Sequence, residues 1–245
     1  GGWAPRNHDW IRQGKRWLRV ILKQHHGEVN WDYSRIPALF DEAKASGLDT
    51  IFLLGWERGG FARLWPDYVL DEGMGGEEGL RKAIDYVHGK GGRVIMFLSY
   101  YLIDRESEFY RLEGGNKVTM KSCWREEIPF PETYCGEGTW RKIANPPMPM
   151  YAACPSCPEW QEKMAKSARY LTDLGADGVL FDIGAATPYF CFDETHPHEK
   201  PSEAIVAKAR NYRELREVVR ASGPDRATFL ADNVDIYAPS MDVSH

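Results

Sequence analysis

The stretch Leu174–Gly184, LGADGVLFDIG, decides the fold. It ends a helix-periodic segment, EWQEKMAKSARYLTDL, at Gly175, the residue type that most easily takes the left-handed turn closing a helix. The run Gly178–Phe181 is wholly apolar, as expected of a strand buried on both faces. Asp182 follows immediately. The order is helix, glycine, apolar strand, polar strand end, and it repeats outward in both directions.

Upstream, RWLRVIL (Arg16–Leu22) runs into Lys23, Gln24, His25 and His26. The segment DYSRIPALFDEAKASG places Ile36, Leu39, Phe40 and Ala43 on one helical face and stops at Gly47. Thr50–Trp56, TIFLLGW, reads as a buried strand. Leu80, Ala83, Ile84 and Val87 mark a helix ending at Gly89 and Gly91, before the strand RVIMFLSYY (Arg93–Tyr101). Downstream, AIVAKARNYRELREVVRASG is a helix closed by Gly223. It leads to the strand ATFLADN (Ala227–Asn233), and Ser240–Ser244, SMDVS, supplies a sixth.

Apolar strands alternating with amphipathic helices imply an α/β protein with a parallel sheet. A doubly wound open sheet and a TIM barrel both fit. No G-x-G-x-x-G or G-x-x-x-x-G-K-[ST] follows a strand, so nucleotide binding loses its usual support. The strands end instead in carboxylates, aromatics and amides, as catalytic faces of barrels do. The expectation is a TIM (β/α)8-type barrel, incomplete in this chain at five to six strands. Residues 1–245 are expected to form one catalytic domain, part of a longer protein. A Cys-rich insertion without a clear helix occupies about residues 102–158, after strand three.

With 245 residues, 43% hydrophobic and 27% charged, the chain has the make-up of one globular domain. Its 31 basic and 36 acidic side chains are interspersed, which argues against nucleic acid as a partner. No apolar run has the ~20 residues of a membrane span, and the first residues lack the apolar core of a signal peptide. The chain starts without Met, which leaves the compartment open, with an exported, secreted or periplasmic precursor slightly favoured over a cytoplasmic protein. Nine Trp, 12 Tyr and 10 Phe suit a carbohydrate site, where ring faces stack on sugar C–H faces, although core packing is the commoner use of such rings.

Asp182 and Asp232 end successive strands, and a buried carboxylate is costly unless partnered. Adjacent strands lie about 4.8 Å apart, near the ~5–5.5 Å carboxyl separation of a retaining glycosidase. Such a pair pushes its two pKa values apart, leaving one nucleophile and one proton donor. Helix capping and metal binding are the alternatives for each Asp. Asp242 is a further candidate if strand six forms. Partners at other strand ends are Lys23, His25, Trp56, Glu57, Asp67 and Tyr100, with Asp235 after strand five, and these would hold the substrate. His196 and His198, in FCFDETHPHE, either fold over the barrel mouth to bond hydroxyls or bind a metal. Cys123, Cys135, Cys154 and Cys157 fall in the insertion and permit a structural zinc site, two disulfides or free thiols. No cofactor is required for catalysis.

The segments GLDTIFLLGWERGG, WPDYVLDEGMGGEEGLRKAIDYVHGKGGRVIMFLSYYLID, CPSCPEWQ, LGADGVLFDIG and THPHE together resemble the catalytic barrel of glycoside hydrolases related to α-galactosidases and endo-α-N-acetylgalactosaminidases, in a bacterial branch. The likeness runs from about Trp17 to Asp242. It implies that Asp182, ending strand four, is the nucleophile. In the endo-acting relatives a Glu ending strand five is the acid/base, and the matching position here is Asp232, one methylene shorter. The implied substrate is an oligosaccharide or glycoconjugate with an α-linked, galactose-type sugar. Two other readings stay open: a catalytically degenerate glycan-binding barrel, and a metal-dependent hydrolase using His196, His198, Asp182 and Asp232.

Overall fold

The computed structural model describes residues 8–13, 16–129, 150–182, 189–231 and 236–244. Asp232, Asp235 and Cys135 lie outside them. Six strands form one parallel sheet: β1 (Trp17–Ile21), β2 (Thr50–Leu54), β3 (Arg93–Ser99), β6 (Gly178–Asp182), β7 (Ala227–Leu230) and β8 (Val243–Ser244), side by side in that order. The helices α2 (Ile36–Ala45), α3 (Gly76–Gly89), α5 (Pro158–Leu174) and α6 (Glu203–Ala221) alternate with them. Strand order rises without reversal, so the switch point of a doubly wound sheet is absent among the described strands. Both faces of the sheet are covered, and every residue of β2 is buried. No helix among the described residues is long and apolar enough to cross a membrane.

The sheet is curled. A flat sheet would set β1 and β7 four strand spacings apart, about 19 Å. Yet the rings of Trp17 on β1 and Phe229 on β7 meet edge to face at 5.9 Å. Phe229 therefore points to the concave side. Its register partner is Leu180, which shares that side with Asp182 two residues on. A short N-terminal helix, α1 (Asp9–Gln13), lies against this interior: Trp10 packs on Phe229 at 5.9 Å and donates to Asp225 O.

Between β3 and α5 the chain is not structureless. The strands β4 (Leu102–Asp104) and β5 (Met150–Ala152) pair antiparallel, and α4 (Glu108–Leu112) is a short helix capped by the Ser107 side chain. Five residues are too few for a helical period to show in sequence, which is why α4 was not expected. Gly175 closes α5 at φ 114°, as expected, whereas Gly223 follows α6 without a positive φ.

At the N-terminal ends of the strands, Asp177 is buried and joins three elements. It pairs with His88 of α3 at 2.8 Å and Arg93 of β3 at 2.8 Å, and accepts from Val94 N at 2.9 Å. Burial alone would raise its pKa, but the His88, Val94 and Arg93 hydrogen bonds outweigh burial and hold it below the ordinary carboxylate value. A depressed pKa means stability that is present above the unfolded value and lost as pH falls through the folded one. Asp177→Ala leaves the buried Val94 N–H unpaired and takes the partner from two cations that are about a third exposed, and should cost about 1–3 kcal/mol at neutral pH. Denaturant unfolding at pH 7 checks this, and a loss under 1 kcal/mol would contradict it.

Candidate active site

The strand ends opposite Asp177 form the other mouth of the curl, and Asp182 stands there. It is the last residue of β6, in register with Ser99 of β3, and its carbonyl accepts from Tyr100 N at 3.0 Å. The side chain is only partly buried, unlike the four residues before it. An apolar strand in a covered sheet can end in a carboxylate only where the sheet itself ends. Beside Asp182 on the next strand is Ala231, whose N–H donates to Phe181 O; Asp232 is the following residue in the chain.

Beneath this mouth lies a ring cluster that joins the end of β3 to α6. Tyr100 and Tyr212 pack at 4.4 Å, and Tyr212 and Tyr237 at 5.7 Å. Tyr100 donates to Asn211 Oδ1 at 2.7 Å. Burial, then the charges of Tyr237 and Asp182, hold the Tyr212 phenol well above its ordinary value, so it stays protonated. Lys208 lies 4.2 Å from the centre of the Tyr101 ring, 2% exposed, and burial lowers its pKa to about 7. Neither Lys208 nor Tyr212 was singled out in the sequence. The available signal was periodicity, since both share a helical face with Ala204, Leu215 and Val219.

Several residues expected to hold substrate have other duties. Trp56 is fully buried, donates to Phe97 O at 2.9 Å and stacks on Tyr68. Tyr100 is equally enclosed, within the ring cluster. Glu57 is 0% exposed, and its Oε1 accepts from Trp65 Nε1 at 2.7 Å. All three side chains are enclosed among the described residues, against the expectation of an open binding face, and Glu57 Oε2 is buried there without a hydrogen-bond partner. Asp67 accepts from Glu108 N and Phe109 N, anchoring the first turn of α4. Lys23 pairs with Asp71 at 2.6 Å and donates to Arg58 O. The loop after β2 can approach this lysine because position 55 is glycine: at φ 61° a Cβ there would lie 2.2 Å from Lys23 O. His25 is partly buried against His26, ring centres 4.9 Å apart. Asp242, just before β8, pairs with Arg220 and accepts from Thr228 N, a structural placement.

The histidines do not join the carboxylate. His196 and His198 meet Cys154 and Cys191, with one donor atom from each within 4.8 Å of the others. Asp182 is not in that group, so the ligand set expected of a metal-dependent hydrolase does not assemble among the described residues. Cys123 is exposed, and Cys157 is the N-cap of α5. Of the zinc site, disulfides and free thiols left open for the four cysteines of the insertion, the described structure shows Cys123, Cys154 and Cys157 as free thiols, and Cys135 lies outside the described residues.

Burial raises the Glu57 pKa from 4.5 to about 7, against the opposing Trp65 hydrogen bond. A raised carboxyl pKa contributes stability that is full below the unfolded value and lost as pH rises through the folded one. Wild type should therefore lose about 3 kcal/mol between about pH 4 and pH 8 relative to Glu57→Gln. Paired unfolding curves across that range test this, and a difference that does not change with pH would contradict it.

Solved structures of similar fold include an α-N-acetylgalactosaminidase from Bifidobacterium bifidum in complex with GalNAc. It has a TM-score of 0.73 and 14% identity, over 97% of this chain and 38% of its own. An α-galactosidase from Thermus thermophilus matches with TM-score 0.59 and 12% identity, over 91% of this chain and 39% of its own. A Nostoc punctiforme debranching enzyme matches with TM-score 0.61 and 16% identity, over 93% and 51%. The chain spans about two fifths to one half of the length of these proteins, and at such identities the likeness is one of fold. No curated protein matches the chain. Residues 4–245 match the model of a domain of unknown function, DUF6259, and the chain belongs to that family.

Proposed function

We propose that this chain is most of a (β/α)8-type barrel and that it hydrolyses α-linked, galactose-type glycans with retention of configuration. The observation that carries this reading is the position of Asp182. It is partly exposed at the end of a strand with neighbours on both sides, on the concave face of a curled parallel sheet. The fold likeness to the three carbohydrate-active enzymes supports it.

In this mechanism Asp182 attacks the anomeric carbon as the glycosidic C–O bond breaks, and Asp232 gives its proton to the leaving oxygen. Water then attacks the glycosyl ester, Asp232 takes the water's proton, and Asp182 is released. The positively charged, oxocarbenium-like transition state is why carboxylates suffice without a cofactor. Asp232 is assigned from the sequence, as the residue two beyond the end of β7. Lys23, His25, Asp67 and Asp235 remain candidates for the rim of the site, and an oligosaccharide or glycoconjugate is the expected partner.

Asp182→Asn should lower turnover of aryl α-N-acetylgalactosaminides and aryl α-galactosides by ~10³-fold or more, with unchanged circular dichroism. Proton NMR of the wild-type reaction should show the α-sugar released first. Undiminished turnover in the variant would remove the nucleophile role, and a β-sugar appearing first would replace retention with inversion. Saturable binding of such glycosides without product release would make the chain a glycan-binding barrel instead.

A further inference from the structure

We propose that Cys154, Cys191, His196 and His198 form a structural zinc site that ties together two loops at the catalytic end of the barrel. The four donors come from two separate segments. Cys154 lies between β5 and α5, and the other three lie in the connection from β6 to α6. Cys154 and Cys191 are free thiols with no exposed surface, and His196 is 6% exposed. One ligand atom from each of the four lies within 4.8 Å of the rest. Around tetrahedral zinc, with Zn–S about 2.3 Å and Zn–N about 2.0–2.1 Å, donor–donor edges are about 3.3–3.8 Å. The edge from Cys191 Sγ to His196 Nδ1 is already 3.3 Å.

Two further observations point to a metal rather than a hydrogen-bonded core. First, the outer nitrogen of His196 is turned away from the thiols. Nε2 lies 2.8 Å from Lys117 O, so it donates there and directs Nδ1, with its lone pair, into the cluster. Metal-bound imidazoles are oriented by such a second hydrogen bond. Second, His198 Nε2 is buried and has no hydrogen-bond partner, which is costly unless something occupies its lone pair or takes its proton.

The donor chemistry selects the ion. Two thiolates and two imidazoles suit zinc, whereas calcium and magnesium prefer oxygen ligands, and none is in the set. Four protein ligands complete a tetrahedron and leave no position for water or substrate, so the site is structural. Binding forms two Zn–S and two Zn–N bonds and releases the two thiol protons, with no change of oxidation state. The backbone already brings the segments together: Cys154 N donates to Val118 O at 2.8 Å, and Phe192 N to Lys121 O at 2.9 Å. The ion would turn that contact into a cross-link between the connections leaving β3 and β6, the strand that carries Asp182.

Elemental analysis of the full chain, purified without chelator, should find close to one zinc per molecule. Cys191→Ser and His198→Ala should each lower that occupancy or the zinc affinity by about 10-fold or more, while Cys123→Ser and Cys157→Ser leave it unchanged. Refolding with Co²⁺ should give the intense visible bands and the thiolate-to-metal band of tetrahedral cobalt, lost in Cys191→Ser. That spectrum keeps the test valid if a variant folds poorly, because it is read on the wild-type chain. A folded wild type that takes up neither Zn²⁺ nor Co²⁺ would overturn the proposal. So would a Cys154–Cys191 disulfide found by peptide mass spectrometry, or metal loss caused by Cys123→Ser or Cys157→Ser.

Discussion

A carboxylate cannot be placed within an apolar strand without a large desolvation cost, and this constraint organises the structure around β6. Val179, Leu180 and Phe181 are sealed between β3 and β7, and Asp182 comes where the seal ends. The same strand meets the opposite problem at its other end. There Asp177 is buried, and it is tolerated because His88, Arg93 and a backbone N–H surround it. Two aspartates five residues apart thus have opposite roles. Asp177 fixes three elements at the N-terminal end of β6, and Asp182 is partly exposed at its C-terminal end.

The curl gives that division a geometry. Trp17, Phe52 and Phe229 fill the concave side, and Trp10 of α1 packs on Phe229 and lies over Arg93 at the start of β3. The parity that sends Phe229 inward sends Leu180 and Asp182 inward as well, so filling the interior and aiming the carboxylate are one consequence of register. The ring cluster of Tyr100, Tyr212 and Tyr237 supports the mouth from outside the sheet, and its protonated Tyr212 phenol feels the charge of Asp182.

Much of this was legible in the sequence because the signals were long and redundant. Four amphipathic helices and the apolar runs between them are where periodicity located them, and Ser240–Ser244 does contribute β8. Less legible was the fate of polar residues just past a strand. Trp56, Glu57 and Tyr100 looked like a binding face but are enclosed, since burial there depends on how the loop after β2 and the helix α6 fold back, and sequence spacing does not encode that. Cys154 and Cys191 meet across unconnected loops, which no local motif announces, and α4 is shorter than a readable period. Lys208 sits on the buried face of α6 at an apolar spacing, where its charge argued for solvent and its position for the core; position prevailed.

The direct measurement is covalent trapping. A galacto-configured inhibitor that forms a stable glycosyl ester with a retaining nucleophile is incubated with the full chain, and the labelled peptide is sequenced by mass spectrometry. The account predicts one label, on Asp182 in the segment that follows Gly178. A label on any other carboxylate, or hydrolysis that continues with no ester formed, would contradict it.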